Sequence, residues 1–219
     1  MFAIFDEEHV QRRNRKIMKI LVVGSGGREA ALVWALSKSK SAGKIYVAPG
    51  NAGTAMVAYN IAIGVNELNK LVMFAWEKHV DLVVIGPDAP LAQGIADMMR
   101  NIGIPVFGPS QRAARIESSK VFCKELLTRH NIPTGRFNVF NDSAGAHAYI
   151  DHCKLPVVIK ADGLCQGKGV VVAKDRREAH RAIERMMVEK VFGDAGNSII
   201  VEEFLRGKEC SFMVLCDGE

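Results

Sequence analysis

Short apolar runs alternate with helix-forming segments in the N-terminal half, and this alternation restricts the chain to few folds. Two runs, KILVVG (Lys19–Gly24) and DLVVI (Asp81–Ile85), are continuously apolar, as expected for strands buried on both faces. KIYVA (Lys44–Ala48) and IPVF (Ile104–Phe107) supply two further strands. Strands that alternate with helices form a doubly wound parallel sheet. We therefore predict an α/β protein with an N-terminal Rossmann-like domain.

The pattern changes at NIPTGRF, where Pro133 and Gly135 interrupt it. We predict an N-terminal extension at residues 1–17, the Rossmann-like domain at 18–132, and an α+β region with hairpins at 133–219. The predicted helices span residues 27–37, 66–78, 91–101, 118–130, 143–153 and 175–190. The predicted strands of the second region span residues 137–140, 157–160, 170–173, 198–203 and 210–215.

The composition excludes several classes of protein. In 219 residues, 48% hydrophobic and 24% charged, no apolar run reaches the ~20 residues of a membrane helix, so we expect no membrane partner. The net charge is only +5, and no basic tract is interleaved with aromatic residues, so we expect no nucleic acid. Five cysteines without CxxC spacing predict reduced thiols in a cytoplasmic protein.

A first glycine-rich loop, GSGGRE at 24–29, follows a predicted strand and opens a predicted helix. Helix N–H groups and glycines that let a ligand approach the backbone favour phosphate binding. The loop departs from the dinucleotide fingerprint, because Glu29 occupies the third glycine position and the next strand ends in APG, without an acid for a ribose hydroxyl. A tight turn without a ligand is one interpretation, and a phosphate-bearing sugar suits the loop better than NAD.

A second glycine-rich loop lies in KADGLCQGKGVVV at 160–172. It is not a P-loop, because only three residues separate Gly163 from Gly167, Gly169 occupies the hydroxyl position, and a strand follows. A glycine loop between antiparallel strands predicts a flexible flap that closes over a triphosphate. Lys160 precedes this flap and reaches a phosphate, whereas Lys168 within it either does the same or stays solvated.

The segment SIIVEEFL at 198–205 is a predicted strand that ends in two acids and an apolar pair. Its terminal backbone groups suit an adenine edge, with Phe204 and Leu205 beside the ring and Glu209 near the ribose hydroxyls. We call residues 202–205 the hinge. Together, the flap and the hinge predict an ATP site.

The motifs occur in an order that resembles the phosphoribosylamine–glycine ligases, ATP-grasp enzymes of purine biosynthesis. The matching segments are MKILVVGSGGRE (18–29), APGNAGT (48–54), DLVVIGPDAPL (81–91), VFGPS (106–110), ESSK (117–120), PVVIKADGL (156–164), GKGVVVA (167–173), FGDAG (192–196) and VEEFL (201–205). The resemblance extends from Met18 to Glu219.

The resemblance implies that ATP phosphorylates glycine and that the amine of 5-phosphoribosylamine attacks the resulting glycyl phosphate. The implied ATP-binding residues are Lys120, Lys160, Gly163, Gly167, Lys168, Gly169, Glu202, Glu203, Phe204, Leu205 and Glu209. The implied substrate-binding residues are Gly26, Gly27, Arg28, Glu29, Asn51, Gly53, Thr54 and Asp88. Catalytic residues are not identified in this chain.

Two residues depart from the family pattern, since Ala30 stands where a histidine is usual and Asp88 where a glutamate is usual. The family also continues beyond residue 219, with the ligands for Mg²⁺ or Mn²⁺, so we expect no metal site and no turnover in this chain alone. We expect a monomer. Two alternatives stay open: an NAD-dependent oxidoreductase, which rests on the first loop alone, and a non-catalytic nucleotide-binding module.

Overall fold

The structure is a computed structural model that describes residues 17–165, 167–214 and 216. It divides the chain into two compact units, with the division between Arg115 and Ile116. Residues 1–16 of the extension predicted at 1–17 lie outside the described residues, as do Gln166, Leu215 and residues 217–219.

The first unit is built on a five-stranded sheet with the order β3-β2-β1-β4-β5, in which every pair is parallel. Its strands are β1 (Met18–Gly24), β2 (Ala42–Pro49), β3 (Tyr59–Asn60), β4 (Leu82–Ile85) and β5 (Val106–Phe107). Its helices are α1 (Gly27–Ser37), α2 (Leu68–Glu77), α3 (Asp88–Ala92) and α4 (Ile95–Asn101), and α5 (Gln111–Ser118) spans the division.

Helices cover both faces of this sheet. Successive residues of a strand point to opposite sides, so neighbouring residues of β1 belong to different apolar clusters. Leu21 of β1 belongs to an apolar cluster with Leu71 of α2 and Met99 of α4. Its neighbour Val22 belongs to a second cluster with Val33 of α1. The doubly wound parallel sheet predicted from the continuous apolar runs is therefore confirmed.

Three helix predictions in this part of the chain were wrong in their boundaries. The helix predicted at 91–101 is two helices, because Gly94 between them takes a left-handed φ of +91°. Asn66 does not cap α2: Glu67 is the N-cap residue, and the Asn66 Oδ1 accepts a hydrogen bond from Gln93. The helix predicted at 118–130 begins at Lys120, because Ser119 is extended. The short β3 and α5 were not predicted.

The second unit contains a four-stranded antiparallel sheet with the order β6-β9-β7-β8. Its strands are β6 (Phe137–Phe140), β7 (Val157–Ala161), β8 (Val170–Ala173) and β9 (Ile199–Glu203). Its helices are α6 (Lys120–Arg129), α7 (Ser143–His152) and α8 (Arg176–Ile183), and one π-helical turn (Glu184–Val188) follows α8. The predicted hairpin of β7 and β8 is confirmed.

The two faces of the second sheet differ in chemistry. Ile159 and Val201 pack with Ile150 of α7 and Ile183 of α8 in an apolar cluster. The alternate residues Val158, Lys160, Ile200 and Glu202 point to the other side. We call this side the α6 face, because Lys124 of α6 contacts Glu202 there.

Two predictions in this unit were wrong. The helix predicted at 175–190 is α-helical only to Ile183 and then widens into the π-helical turn. Residues 210–214 of the predicted strand at 210–215 are not a strand, since none of the four described strands pairs with them. The structural division after Arg115 lies earlier in the chain than the domain boundary predicted at residues 132 and 133, and α6 contacts β9 of the second unit.

Candidate functional site

The turn between β1 and α1 exposes backbone N–H groups at a helix start. Gly24 has a φ of +138°, Gly26 is extended, and α1 begins at Gly27. The N–H groups of a first helical turn have no acceptor within their own helix. A Cβ atom added to Gly27 would meet nothing within 4 Å, so the outer side of the turn is open. This geometry suits an anionic group.

Glu29 lies beneath this turn, only 4% exposed. Its Oε2 accepts a hydrogen bond of 2.7 Å from the Gly26 N–H. A Cβ at either Gly24 or Gly86 would come within 2.3 Å of the Glu29 side chain, so these two glycines leave the space that Glu29 fills. Glu29 therefore supports the turn from inside, whereas its neighbour Arg28 is exposed. Because the Glu29 side chain fills this space, a glutamate can occupy the third glycine position of the dinucleotide fingerprint.

The segment Asn51–Thr54 joins the loop after β2 to the loop after β1. The Asn51 side-chain amide donates to the carbonyls of Ser25 (2.8 Å) and Gly26 (3.2 Å). Thr54 is fully buried, and its Oγ1 accepts a hydrogen bond of 2.8 Å from the Asn51 N–H. The structure thus brings together the predicted residues Gly26, Gly27, Asn51, Gly53 and Thr54.

Two other positions singled out in the sequence are Ala30 and Asp88. A Cβ at Gly53 would lie 3.8 Å from that of Ala30, so a larger side chain at position 30 would face the Asn51–Thr54 segment. Asp88 is exposed at the start of α3, just after β4.

The second glycine-rich loop joins β7 to β8, as the flap prediction requires. The Ala161 N–H donates to the Gly169 carbonyl (2.9 Å) at its base. Gly167 has a φ of +76°, a conformation that favours glycine. A Cβ at Gly163 would lie 2.7 Å from the Cβ of Ala195, so no side chain fits there. Gly167 and Lys168 are exposed at the tip of the loop.

The base of the flap is tied to the start of α6. The Asp162 carboxylate accepts hydrogen bonds from the Val121 N–H (3.1 Å) and the Ser119 hydroxyl (3.2 Å). The Lys120 Nζ donates to the Gly163 carbonyl at 2.7 Å. Lys120 therefore lies directly against the flap.

Lys160, Glu202 and Lys124 form an ionic cluster on the α6 face. The Lys160 Nζ lies 2.5 Å from the Glu202 Oε2, and the Lys124 Nζ donates to the Glu202 Oε1. Burial opposes ionisation of Glu202, but hydrogen bonds and ion pairs with the two lysines outweigh it and hold its pKa below the ordinary value. Glu202 is therefore a buried carboxylate with two cationic partners.

The next residue, Glu203, points away from this cluster. Its Oε2 accepts hydrogen bonds from the Arg136 Nη2 (2.8 Å) and Nε (3.0 Å), and these lower the pKa of Glu203. Phe204 and Leu205 follow the end of β9 with 40% and 65% of their surface exposed, and Glu209 is also exposed. The hinge acids thus occupy different environments.

Sequence reasoning missed Lys124. Its spacing of four residues from Lys120 is a signal that could have found it, because residues i and i+4 share one face of a helix. Burial of a lysine could not be anticipated from the helix composition. Lys120, Lys160, Gly163 and Glu202, by contrast, were predicted and belong to the same unit.

Neither a metal site nor a membrane span is present in the described part of the chain. Among residues 17–165, 167–214 and 216, no group of three or more His, Cys, Asp or Glu side chains is arranged to hold a metal ion. In the same residues, no helix combines the length and the apolar character that crossing a bilayer requires.

Comparisons with known proteins cover almost the whole chain. Residues 18–117 match the family profile described as phosphoribosylglycinamide synthetase, N domain, and residues 118–219 match its ATP-grasp (A) domain. Phosphoribosylamine–glycine ligase of Ralstonia nicotianae is 50% identical over 92% of this chain and 48% of its own length. The Brucella melitensis relative is 53% identical over 92% of this chain and 47% of its own. The chain spans about half the length of the curated relatives it matches.

Solved structures agree in fold. The crystal structure of phosphoribosylamine–glycine ligase from Thermotoga maritima superimposes with a TM-score of 0.72 at 28% identity, over 87% of this chain and 44% of that one. N5-carboxyaminoimidazole ribonucleotide synthetase from the same organism has a TM-score of 0.61 at 20% identity, over 85% of this chain and 46% of that one. The latter similarity shows the fold alone.

Proposed function

The chain belongs to the phosphoribosylglycinamide synthetase family, and we propose that it forms the part of a ligase that binds ATP and 5-phosphoribosylamine. The observation that carries this proposal is the placement of Lys120 against the flap and Lys160 on the α6 face of the same unit. Two ammonium groups beside a closable glycine loop suit a polyphosphate. The names of the relatives support glycine as the second substrate.

The second unit would hold ATP through positioning and charge neutralisation. Lys120 and Lys160 would bind the phosphates, and Gly163, Gly167, Lys168 and Gly169 would close over them. The end of β9, with Glu202 and Glu203, would present backbone groups to the adenine edge, as in the sequence prediction. Phe204 and Leu205 would cover the ring, and Glu209 would accept hydrogen bonds from the ribose. The exposure of Phe204 and Leu205 supports this placement.

The first unit would hold the phosphoribosyl group. The open first turn of α1 at Gly26, Gly27 and Arg28 provides N–H groups that suit a phosphate. Asn51 and Thr54 hold the adjacent loop in place, with Gly53 in the same segment, and Glu29 supports the turn from below. Asp88 would accept a hydrogen bond from a ribose hydroxyl or from the amine.

In the proposed reaction, a glycine carboxylate oxygen attacks the γ-phosphorus of ATP, which forms glycyl phosphate and releases ADP. The phosphoribosylamine nitrogen then attacks the acyl carbon. The new C–N bond forms, the C–O bond to phosphate breaks, and the amine loses a proton. A divalent cation would accompany the ATP phosphates, and no group of three His, Cys, Asp or Glu side chains among the described residues is arranged to hold it.

ATP binding by the 219-residue chain, measured by isothermal titration calorimetry, tests the nucleotide site. We expect Lys120→Met and Lys160→Met each to weaken binding by roughly 10- to 100-fold, because each removes a charge-assisted hydrogen bond. Lys154→Met is the control, since Lys154 is exposed in the loop before β7. No ATP binding by the unaltered chain would contradict the proposal.

ADP release tests the complete reaction. It would be measured with ATP, Mg²⁺, glycine and phosphoribosylamine for this chain and for the product of the complete gene. If the protein is a ligase, the protein encoded by the complete gene should release ADP only when glycine and phosphoribosylamine are both present. A complete product that binds ATP without glycine-dependent turnover would instead indicate a non-catalytic nucleotide-binding module.

A further inference from the structure

The ionic cluster of Lys124, Lys160 and Glu202 carries two positive charges and one negative charge. Its carboxylate is buried, with 9% of the Glu202 side chain exposed. Removing charges from water is costly unless each is paired. Because Glu202 neutralises only one of the two lysines, the cluster has a net charge of +1, which suits an incoming anion.

The two lysines differ in how firmly they are held. Only 11% of the Lys124 side chain is exposed, and its Nζ donates to Glu202, to the Thr134 Oγ1 (2.6 Å) and to the Gly135 carbonyl (3.4 Å). Lys160 is 26% exposed and pairs with the other oxygen of the same carboxylate. Lys124 is thus fixed by three acceptors, whereas Lys160 has access to solvent.

We infer that Lys124 is a positioning residue, which remains bound to Glu202 so that Lys160 can exchange the carboxylate for a nucleotide phosphate. This inference rests on the proposed ATP-binding function. If Glu202 had Lys160 as its only partner, the departure of Lys160 would leave a buried carboxylate unpaired, and that state is strongly disfavoured. With Lys124 in place, Glu202 keeps a cationic partner throughout.

The inference predicts a selective effect on phosphate recognition. Without Lys124, Lys160 stays paired with Glu202 and is withheld from the phosphates. Contacts to the adenine ring and the ribose do not depend on this exchange. The diagnostic quantity is therefore the ratio of the dissociation constants for adenosine and ATP, which isolates the contribution of the phosphates.

The test compares ATP and adenosine binding to variants of the 219-residue chain by ligand-observed NMR. Lys124→Met is expected to lower the adenosine-to-ATP ratio by roughly 10- to 100-fold, the value of one charge-assisted hydrogen bond. Adding Glu202→Gln to Lys124→Met is expected to restore the ratio, because Lys160 then has no carboxylate to hold it. Arg129→Met is the matched control, since it removes a positive charge from an exposed position of the same helix.

Two results would overturn the positioning role. One is an unchanged ratio in Lys124→Met, and the other is a lowered ratio that the double variant fails to restore, as a general structural role of Lys124 would give. If Lys124→Met does not fold, the double variant, which has no carboxylate at position 202, is compared with Glu202→Gln alone. Equal ratios in these two variants are expected, because Lys124 acts only through Glu202, and a lower ratio in the double variant would overturn the positioning role. A parent chain that binds adenosine but gains nothing from phosphates would contradict the proposed function itself.

Discussion

Lys160 of β7 and Glu202 of β9 are diagonal neighbours on one face of the second sheet, with 2.5 Å between the Lys160 Nζ and the Glu202 Oε2. The strand register produces this relationship, because Lys160 lies opposite Ile200 and Glu202 lies opposite Val158. The adjacent Glu203 points to the other face and pairs with Arg136. Two consecutive glutamates thus have separate roles.

Replacing Glu202 is expected to destabilise the protein far more than replacing Glu203. Glu202→Gln leaves Lys124 and Lys160 beside a neutral side chain, and removing one partner of a buried ion pair costs about 3–5 kcal/mol. Glu203→Gln affects a pair whose arginine side chain is 89% exposed, so its loss should be small. Urea denaturation of both variants measures the difference. Equal losses would show that Glu202 is not effectively buried.

The depressed pKa of Glu202 predicts a loss of stability in acid. Because the folded-state pKa is lower than the unfolded one, the carboxylate contributes stability above the ordinary glutamate pKa of about 4.3. This contribution disappears as the pH falls through the folded-state pKa. The difference in free energy of unfolding between the unaltered chain and Glu202→Gln should therefore shrink below about pH 4.3. A difference that stays constant down to about pH 3 would disprove this account.

Gly86 and Glu29 are expected to be energetically coupled. A Cβ at Gly86 would lie 2.3 Å from the Glu29 Oε1, so Gly86→Ala should overpack this site and cost about 1–3 kcal/mol. Adding Glu29→Ala removes the clash, so the double variant should lose less stability than the sum of the single losses. Gly27→Ala is the control, because a Cβ there meets nothing within 4 Å. Strictly additive losses in urea denaturation would argue against the close contact.

Asp162 and Asp175 each accept a hydrogen bond at the start of a helix, but only Asp162 belongs to the base of the flap. The Asp162 carboxylate accepts a hydrogen bond from the Val121 N–H at the start of α6. The Asp175 carboxylate accepts one from the Glu178 N–H at the start of α8. Alanine at either position should cost about 0.5–2 kcal/mol of stability. Only Asp162→Ala should also weaken ATP binding, because Asp162 joins the flap to α6 beside Lys120. Calorimetric titration with ATP distinguishes the variants, and equal affinities would exclude this role for Asp162.

The local pattern of the sequence was sufficient to predict most of the strands and both glycine-rich loops. Continuous apolar runs such as Lys19–Gly24 indicate strands buried on both faces, whatever the rest of the chain does. The glycines of the flap similarly predict an irregular connection between two strands. At Gly94 and Ser119 the predicted helix boundaries were wrong, although a glycine with positive φ and a serine N-cap are themselves local signals of a helix boundary.

By itself, the sequence determined the alternation of elements, the two loops and the motifs of the family, because each depends on residues close together in the chain. Only the tertiary structure decided which charges meet. Lys124 and Glu202 are 78 residues apart, and their pairing depends on how α6 packs on β9. Glu29 supports its turn from inside because Gly86, on another strand end, leaves room for it. Burial and pairing arise from such distant contacts, which the spacing of residues does not specify.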